Sequence, residues 1–286
     1  MATGRRELVR RGWWAAVVLT AVACGGAGQT GAQPPATPGT PAPTAEPREL
    51  VVLAPASLTD AFTEMGGDFP RQPGMAGLSL TFSFGASSQL RTQLEQGAPA
   101  DVFASADTVQ MEQAAQAGLI RGAPQTFASN RLVVVLPRGN RAGVSTLADL
   151  ARPGLKLVTT PREVPVGNYT RQALEKMAAD AAFGAGFDQR VLANVVSEES
   201  NVRQVVTKVQ LGEADAGIVY ASDVSAAVAP AVKTIDIPDR FNPLAHYPTA
   251  VTRQARAPAT AEHFIRYLLS PAGQAILKKH NFIPIA

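Results

Sequence analysis

The stretch from Leu78 to Asp107 reads LSLTFSFGASSQLRTQLEQGAPADVFASAD and contains one complete strand–helix–strand unit. Leu78–Phe84 is rich in residues that favour strands, and Asp101–Ser105 is a second short strand-like run. Between them, Ser87–Gln96 has the pattern of an amphipathic helix. A chain built from such alternation is predicted to be an α/β protein with mostly parallel sheets.

The same alternation extends outward from this unit in both directions. The other predicted strands are Glu49–Ala54, Arg131–Pro137, Leu155–Thr159, Val195–Val196, Ala216–Tyr220 and a polar candidate near His246–Arg253. The other predicted helices open at Ser57 or cover Thr108–Ala117, Val166–Ala179, Asn201–Leu211, Pro258–Leu269 and Pro271–His280. Because the pattern occurs twice, we predict two lobes, residues 49–134 plus 228–286 and residues 135–227. Open α/β sheets bind ligands beyond the carboxyl ends of their strands, so we expect the site in the cleft between the lobes.

The N-terminal residues have the features of an export signal. An apolar run too short to span a bilayer, Trp13–Ala23, follows a cluster of four arginines, Arg5, Arg6, Arg10 and Arg11. The run ends at Cys24, and this junction resembles the lipobox of bacterial lipoproteins. We therefore predict a lipoprotein signal peptide over residues 1–24, with the protein lipid-anchored through Cys24 on the extracytoplasmic (periplasmic) face of the cell membrane. An ordinary secretory signal with an incidental cysteine is the alternative.

The charge of the chain is balanced once this segment is removed. The whole chain has 26 basic and 23 acidic side chains, and residues 1–24 hold four arginines and one glutamate, which leaves 22 of each sign. A neutral body gives no reason to expect binding to nucleic acid, or a membrane contact other than the lipid anchor. Residues 25–48 are rich in Pro, Ala, Gly and Thr without apolar periodicity, which predicts a solvated linker.

The sequence lacks the motifs that carry catalysis or metal binding. Because Cys24 is the only cysteine, disulfides and thiolate metal sites are excluded. There is no GxSxG, HExxH or phosphate-loop motif, and the pair Glu198 and Glu199 is better explained as a solvated helix start. All three histidines lie in the tail, at His246, His263 and His280. The sequence therefore favours a monomeric binding protein without a cofactor over an enzyme.

Two predicted strand–helix junctions place serines where a helix begins. Ser57 follows the first strand, with Asp60 three residues later, and Ser87 with Ser88 follows the second. Unpaired backbone N–H groups and the positive end of the helix dipole meet at such junctions, so several of them facing one cleft would hold an anion. Taken singly, each serine is more simply a helix N-cap, and Ser57 with Asp60 has the pattern of a capping box.

Five strings of the sequence point to a family. APASLTDAF, FSFGASSQLRTQLEQGAPADVFASAD, RLVVVLPRGN, VPVGNYTRQALEK and ADAGIVYASD are similar to those of the bacterial periplasmic molybdate-binding proteins of ABC transporters. The similarity covers nearly all of the chain after the linker and is most specific in GAPADVFASAD. It implies the two-lobed periplasmic binding protein fold of type II, with a mixed, mostly parallel sheet flanked by helices in each lobe. It also implies high-affinity capture of molybdate, with tungstate as a close analogue, for delivery to an ABC permease in the membrane.

The resemblance also implies which residues bind the oxyanion. Ser57 and Ser87 would each offer a hydroxyl and a backbone N–H. Val166, where the family often has alanine, and Val202 would each offer a backbone N–H, and Tyr220 would offer its hydroxyl. No metal would be coordinated directly by a side chain. A register one residue later would replace Ser87 by Ser88.

Other ligands remain open at this point. Related two-lobed proteins hold sulfate, thiosulfate, phosphate or ferric iron, and a lipoprotein whose cleft contacts only protein partners is a further alternative. Iron would require a cluster of oxygen or nitrogen ligands, and the four tyrosines do not cluster in sequence: Tyr169, Tyr220, Tyr247 and Tyr267. Phosphate retains a proton near neutral pH, which a pocket made only of donors would leave without an acceptor.

Overall fold

The computed structural model describes residues 48–285, so the predicted signal peptide and all but the last residue of the predicted linker lie outside the described residues. The strands are β1 Glu49–Pro55, β2 Ser79–Gly85, β3 Val102–Ala104, β4 Ile120–Asn130, β5 Leu132–Pro137, β6 Leu157–Thr159, β7 Val195–Glu198, β8 Ala216–Tyr220, β9 Val232–Asp236, β10 Ala245–Thr252 and β11 Ile283–Pro284. The α-helices are α1 Thr59–Asp68, α2 Ser87–Glu95, α3 Thr108–Gln116, α4 Pro165–Ala178, α5 Phe187–Leu192, α6 Val202–Gln210, α7 Pro258–Leu269 and α8 Pro271–Lys279. None of these helices is long and apolar enough to cross a membrane.

The first lobe is built on a six-stranded sheet with the order β11-β4-β10-β3-β1-β2. β1 pairs in parallel with β2 and β3, as the strand–helix–strand pattern predicts. β10 pairs antiparallel with both β3 and β4. The C-terminal helices pack on this sheet: Gln274 of α8 donates to the Phe127 carbonyl of β4 at 2.9 Å, and Phe264 of α7 packs edge-on against Phe62 of α1 with ring centroids 5.7 Å apart. The tail therefore completes the first lobe, as expected from the sequence.

The second lobe is built on a five-stranded sheet with the order β7-β6-β8-β5-β9. β6 runs parallel to β7 and β8, whereas β5 runs antiparallel to β8 and β9. Both sheets are thus mixed, and parallel pairing is limited to the strands joined through helices. It is less extensive than the sequence suggests, because the strands beside the two crossovers run antiparallel to their neighbours.

The chain passes from one sheet to the other at residues that differ from the predicted lobe boundaries. β5 begins at Leu132, although the sequence assigns residues 132–134 to the first lobe, and β9 lies in the second sheet although residues 228–236 are predicted in the first. β9 is a short strand with mostly exposed residues, so it lacks the apolar run by which a strand is recognised. The long strand β4 was not predicted either, since its first half is exposed and contains Gly122 and Pro124.

The chain passes between the lobes twice, at Arg131 and between Asp236 and Ala245. Asn242 of the second crossover is buried, and it joins the two passages. Its Oδ1 accepts from the Leu132 N–H at 3.0 Å, and its Nδ2 donates to the Leu132 carbonyl at 2.8 Å. The two crossovers are therefore held side by side.

Candidate functional site

The two lobes face each other across a small cavity. The carboxyl ends of β1 and β2 line it from the first lobe, and the starts of α4 and α6 with the end of β8 line it from the second. All five residues predicted to bind the ligand lie on its wall: Ser57, Ser87, Val166, Val202 and Tyr220. The rest of the wall consists of Pro, Ala and Gly residues, Val164 and Asn201, so no charged side chain of residues 48–285 lines the cavity.

Ser57 lies in a 3-10 turn, Ala56–Leu58, between β1 and α1 and is almost completely buried. The residue that flanks this turn is Pro55, and the serine hydroxyl does not cap the helix. It lies instead 3.0 Å from the hydroxyl of Tyr247 in β10. The capping-box interpretation is wrong, because Asp60 accepts from the Arg203 Nη2 of the other lobe at 2.8 Å.

Ser87 is the first residue of α2, and it is not an N-cap, because Ala86 occupies that position. Its Oγ accepts from the Ala106 N–H at 3.0 Å. With this lone pair occupied by a donor, the hydroxyl proton of Ser87 remains available to the cavity. Ser88 is directed elsewhere, into an open groove that Arg91 and Arg162 also line. The register with Ser87 in the cavity is therefore the one the structure has.

The second lobe contributes the first turns of two helices. Pro165, which has no N–H, is the first residue of α4, Val166 is the second, and no side chain caps this end. At α6 the side chain of the N-cap, Asn201, accepts from the N–H groups of the second and third helical residues, Arg203 and Gln204. The N–H groups of the first turn have no acceptor within their helix. The backbone N–H groups of Val166 and Val202 are thus free of a helical or capping acceptor beside the cavity.

Gly167 allows α4 to begin against the wall of the cavity. A Cβ atom at this position would lie 2.1 Å from the Pro161 carbonyl oxygen and 2.5 Å from that of Thr160. Both neighbours are backbone atoms and cannot rotate away. Glycine is therefore required for the close approach that places Val166 at the cavity.

Tyr220 ends β8 and is 2% exposed, and its hydroxyl has no hydrogen-bond partner among the described residues. Burial, followed by the charges of neighbouring groups including Asp107 and Asp223, raises the pKa of Tyr220 well above its ordinary value. The hydroxyl consequently keeps its proton. A buried donor left without an acceptor costs about 1–3 kcal/mol, and an acceptor in the cavity would remove this cost.

Arg203, which no sequence motif marks, connects the two sides of the cavity. From α6 it reaches across to the first lobe, donating to the Ala56 carbonyl at 3.3 Å and to Asp60 at 2.8 Å. Its Nε also lies 3.4 Å from Oδ1 of Asp223, which follows Tyr220 closely in the second lobe. Burial raises the pKa of Asp223 to about 7, although the charge of Arg203 and the Tyr220 N–H act to lower it. In the sequence, the one feature that could have pointed to Arg203 is its position next to the predicted ligand residue Val202.

Comparison with known proteins assigns the family. Residues 50–283 match the family described as bacterial extracellular solute-binding protein. The chain belongs to this family. It is 42% identical over 240 residues to the molybdate-binding protein ModA of Mycobacterium tuberculosis, covering 84% of this chain and 86% of that protein. The resemblance predicted from the sequence is confirmed, and the chain is a solute-binding protein of the extracytoplasmic transport class.

Solved structures agree on the architecture. The periplasmic molybdate-binding protein of Azotobacter vinelandii superimposes with a TM-score of 0.71 at 22% identity, covering 83% of this chain and all of that one. The sulfate-binding protein SubI of Mycobacterium tuberculosis gives a TM-score of 0.75 at 18% identity, covering 83% and 87%. Similarity at these identities shows the fold alone, and it confirms the predicted two-lobed periplasmic binding protein fold.

Proposed function

We propose that this protein captures molybdate, and tungstate as its close analogue, and delivers it to an ABC permease in the membrane. The observation that carries the proposal is the neutral cavity with the unpartnered hydroxyl of Tyr220 on its wall. A tetrahedral oxyanion supplies the acceptors that such a cavity requires. The name of the 42% identical relative supports molybdate as the particular anion.

In this proposal the anion is bound by donors alone. Ser57 and Ser87 each contribute a hydroxyl and a backbone N–H, Val166 and Val202 each contribute a backbone N–H, and Tyr220 contributes its hydroxyl. Hydrogen bonds to a charged group contribute roughly 1.5–3 kcal/mol each, which offsets the loss of hydration without a cationic side chain. Hydrogen phosphate is rejected because its proton meets no acceptor.

Both lobes donate to the same anion, so the ligand stabilises the closed arrangement over an open one. The closed form then docks on the permease. The proposal also includes binding without catalysis or a cofactor, action as a monomer, and a location outside the cytoplasm, which the solute-binding family supports. Anchoring through Cys24 remains part of the proposal, since that residue lies outside the described part of the chain.

Sulfate is the second candidate, because it carries the same charge and the SubI fold is similar. It is smaller than molybdate, so discrimination depends on the size of the cavity. Ferric iron is less well supported, because the cavity wall, as formed by residues 48–285, carries one tyrosine, Tyr220, and no His, Cys, Asp or Glu side chain.

The test is a thermal melt of the mature protein with molybdate, tungstate, sulfate and phosphate at matched ionic strength. A ligand that binds only the native state stabilises it by about 2.7 kcal/mol at a hundredfold excess over its Kd. We expect a rise in Tm with molybdate and tungstate and none with phosphate. A rise with sulfate alone would favour the second candidate, and no rise with any of the four would remove oxyanion capture altogether.

A further inference from the structure

A chain of three buried polar groups leads from the interior of the first lobe to the cavity. The Tyr247 hydroxyl lies 3.0 Å from Ser57 Oγ and 3.5 Å from Asn130 Nδ2. Asn130 and Tyr247 are completely buried, and Ser57 is 2% exposed. Neither Asn130 nor Tyr247 lines the cavity. Tyr247 contacts two residues that do, Ser57 through its hydroxyl and Tyr220 through its ring, and a change to Phe removes the first contact while keeping the second.

The orientation of the Asn130 amide is set by its neighbours. Its Oδ1 accepts from the Arg131 N–H at 2.9 Å, which an NH2 group in that place could not do. Its Nδ2 therefore points to the other side, where it donates to Ser222 Oγ at 2.8 Å and to the Tyr247 hydroxyl. Toward Tyr247, Asn130 can therefore act only as a hydrogen-bond donor.

The direction of the remaining hydrogen bonds follows by elimination. Among the described residues, the Tyr247 hydroxyl has two polar partners, Asn130 Nδ2 and Ser57 Oγ. An amide nitrogen cannot accept, so the tyrosine proton must go to Ser57 Oγ. Burial raises the pKa of Tyr247 well above its ordinary value, so the proton stays on this hydroxyl. Ser57 thus accepts from Tyr247, and its own proton is left for the cavity.

We propose that Asn130 and Tyr247 are positioning residues that hold Ser57 as a hydrogen-bond donor and thereby set the preference for fully deprotonated oxyanions. The inference rests on the proposed function and deepens it. A serine hydroxyl in isolation can donate or accept, and could therefore accommodate the proton of hydrogen phosphate. With Tyr247 donating to one lone pair of its oxygen, Ser57 cannot turn its own proton back toward the tyrosine and directs it to the ligand instead.

The test reverses the direction of the hydrogen bonds that run from Asn130 through Tyr247 to Ser57, by a nearly isosteric substitution. In Asn130→Asp, one carboxylate oxygen still accepts from the Arg131 N–H, and the other accepts from Tyr247 where the amide donated. The tyrosine oxygen can then accept from Ser57, which leaves the serine lone pair facing the cavity. Molybdate and phosphate affinities are measured by calorimetry above neutral pH, where phosphate retains one proton. The added negative charge weakens both dianions, so the readout is the ratio of the two affinities.

We expect the phosphate-to-molybdate affinity ratio to rise at least tenfold in Asn130→Asp. Tyr247→Phe, whose ring stays packed against Phe127 and Phe282, should raise the ratio by less, because it frees the serine lone pair without reversing the chain. Tyr247→Phe also provides a second test of the proposal if the Asn130→Asp variant does not fold. Ser222→Ala is the matched control, since it removes the other acceptor of Asn130 and should leave the ratio unchanged.

The outcomes separate the two proposals. If the native protein binds molybdate and both variants keep its anion preference, Asn130 and Tyr247 have a structural role only and the inference is overturned. A ratio that rises equally in Ser222→Ala would overturn it as well, because general loosening would then explain the change. If the native protein binds none of the oxyanions, the proposed function fails and this inference fails with it.

Discussion

The two sides of the cavity present their donors in different ways. The first lobe offers the hydroxyl protons of Ser57 and Ser87, which can rotate and are directed by Tyr247 and by the Ala106 N–H. Apart from Tyr220, the second lobe offers backbone N–H groups, whose direction is fixed by the helices that carry them. Side-chain chemistry therefore matters on the first side, whereas main-chain geometry matters on the second.

The largest effect is expected where main-chain geometry is disturbed, in Gly167→Ala. The new Cβ would contact backbone oxygen atoms that cannot move independently, so the start of α4 must shift. We expect the free energy of unfolding to fall by about 3 kcal/mol, together with a loss of molybdate affinity. Chemical denaturation and calorimetry measure the two effects.

Gly67→Ala is the control for this variant. Gly67 also lies in a helix, but a Cβ there meets nothing within 4 Å, so the change should be neutral or stabilising by up to about 1 kcal/mol. Equal effects at the two glycines would contradict the idea that α4 depends on a close backbone approach.

Ser87→Ala tests the first side of the cavity. It removes a donor to the anion and leaves the buried Ala106 N–H without its acceptor. We expect molybdate affinity to fall by about 1.5–3 kcal/mol, measured by calorimetry. Ser88→Ala is the adjacent control and should leave affinity unchanged, because Ser88 lines the outer groove. If Ser88→Ala weakened molybdate binding and Ser87→Ala did not, Ser88 would be the ligand residue instead of Ser87.

Asp223→Asn tests how the ionisation of Asp223, which lies beside Arg203, affects stability. The pKa of Asp223 is raised to about 7, above the usual aspartate value of about 3.9, so the folded state binds this proton more strongly than the unfolded state. Its stabilising contribution is present in acid and is lost as the pH rises from about 4 through about 7. The neutral amide removes this loss, so the Tm of the variant relative to the native protein should increase across that range. A constant difference in Tm would show that Asp223 does not titrate there.

The smallest effect on binding is expected for Val166→Ala, which keeps the backbone N–H. Val166 is buried, so the free energy of unfolding should fall by about 1–2 kcal/mol through lost apolar contact. The free energy of molybdate binding should change by no more than about 0.5 kcal/mol. An affinity loss as large as that of Ser87→Ala would mean that both sides depend on their side chains, and the contrast between them would disappear.

The sequence predicts the elements that have local signals. The strand–helix–strand unit is an example: predicted helix Ser87–Gln96 agrees with α2, and predicted strand Leu78–Phe84 agrees with β2 to within one residue. Both have clear periodicity. β9 and α5 were not predicted, because one is an exposed edge strand and the other has only six residues.

Some residues of the candidate site likewise have a local signal in the sequence, and others do not. Residues at strand–helix junctions, such as Ser57 and Ser87, could be selected because the junction and the family strings are visible in sequence. Tyr247 could not, because it meets Ser57 from 190 positions away. Arg203 could not be placed either, since its contacts with Asp60 depend on how the two lobes face each other. Spacing along the chain carries no information about such contacts.

The second lobe is one continuous insertion between two neighbouring strands of the first, β4 and β10. During synthesis, every strand of the second sheet has been made once residue 236 is reached. The first lobe at that time still lacks β10, which lies between β3 and β4, the edge strand β11, and the helices α7 and α8. The lobe that contains β1 is therefore the last to be completed, and Tyr247, which directs the Ser57 proton, arrives with β10, the strand that joins β3 to β4.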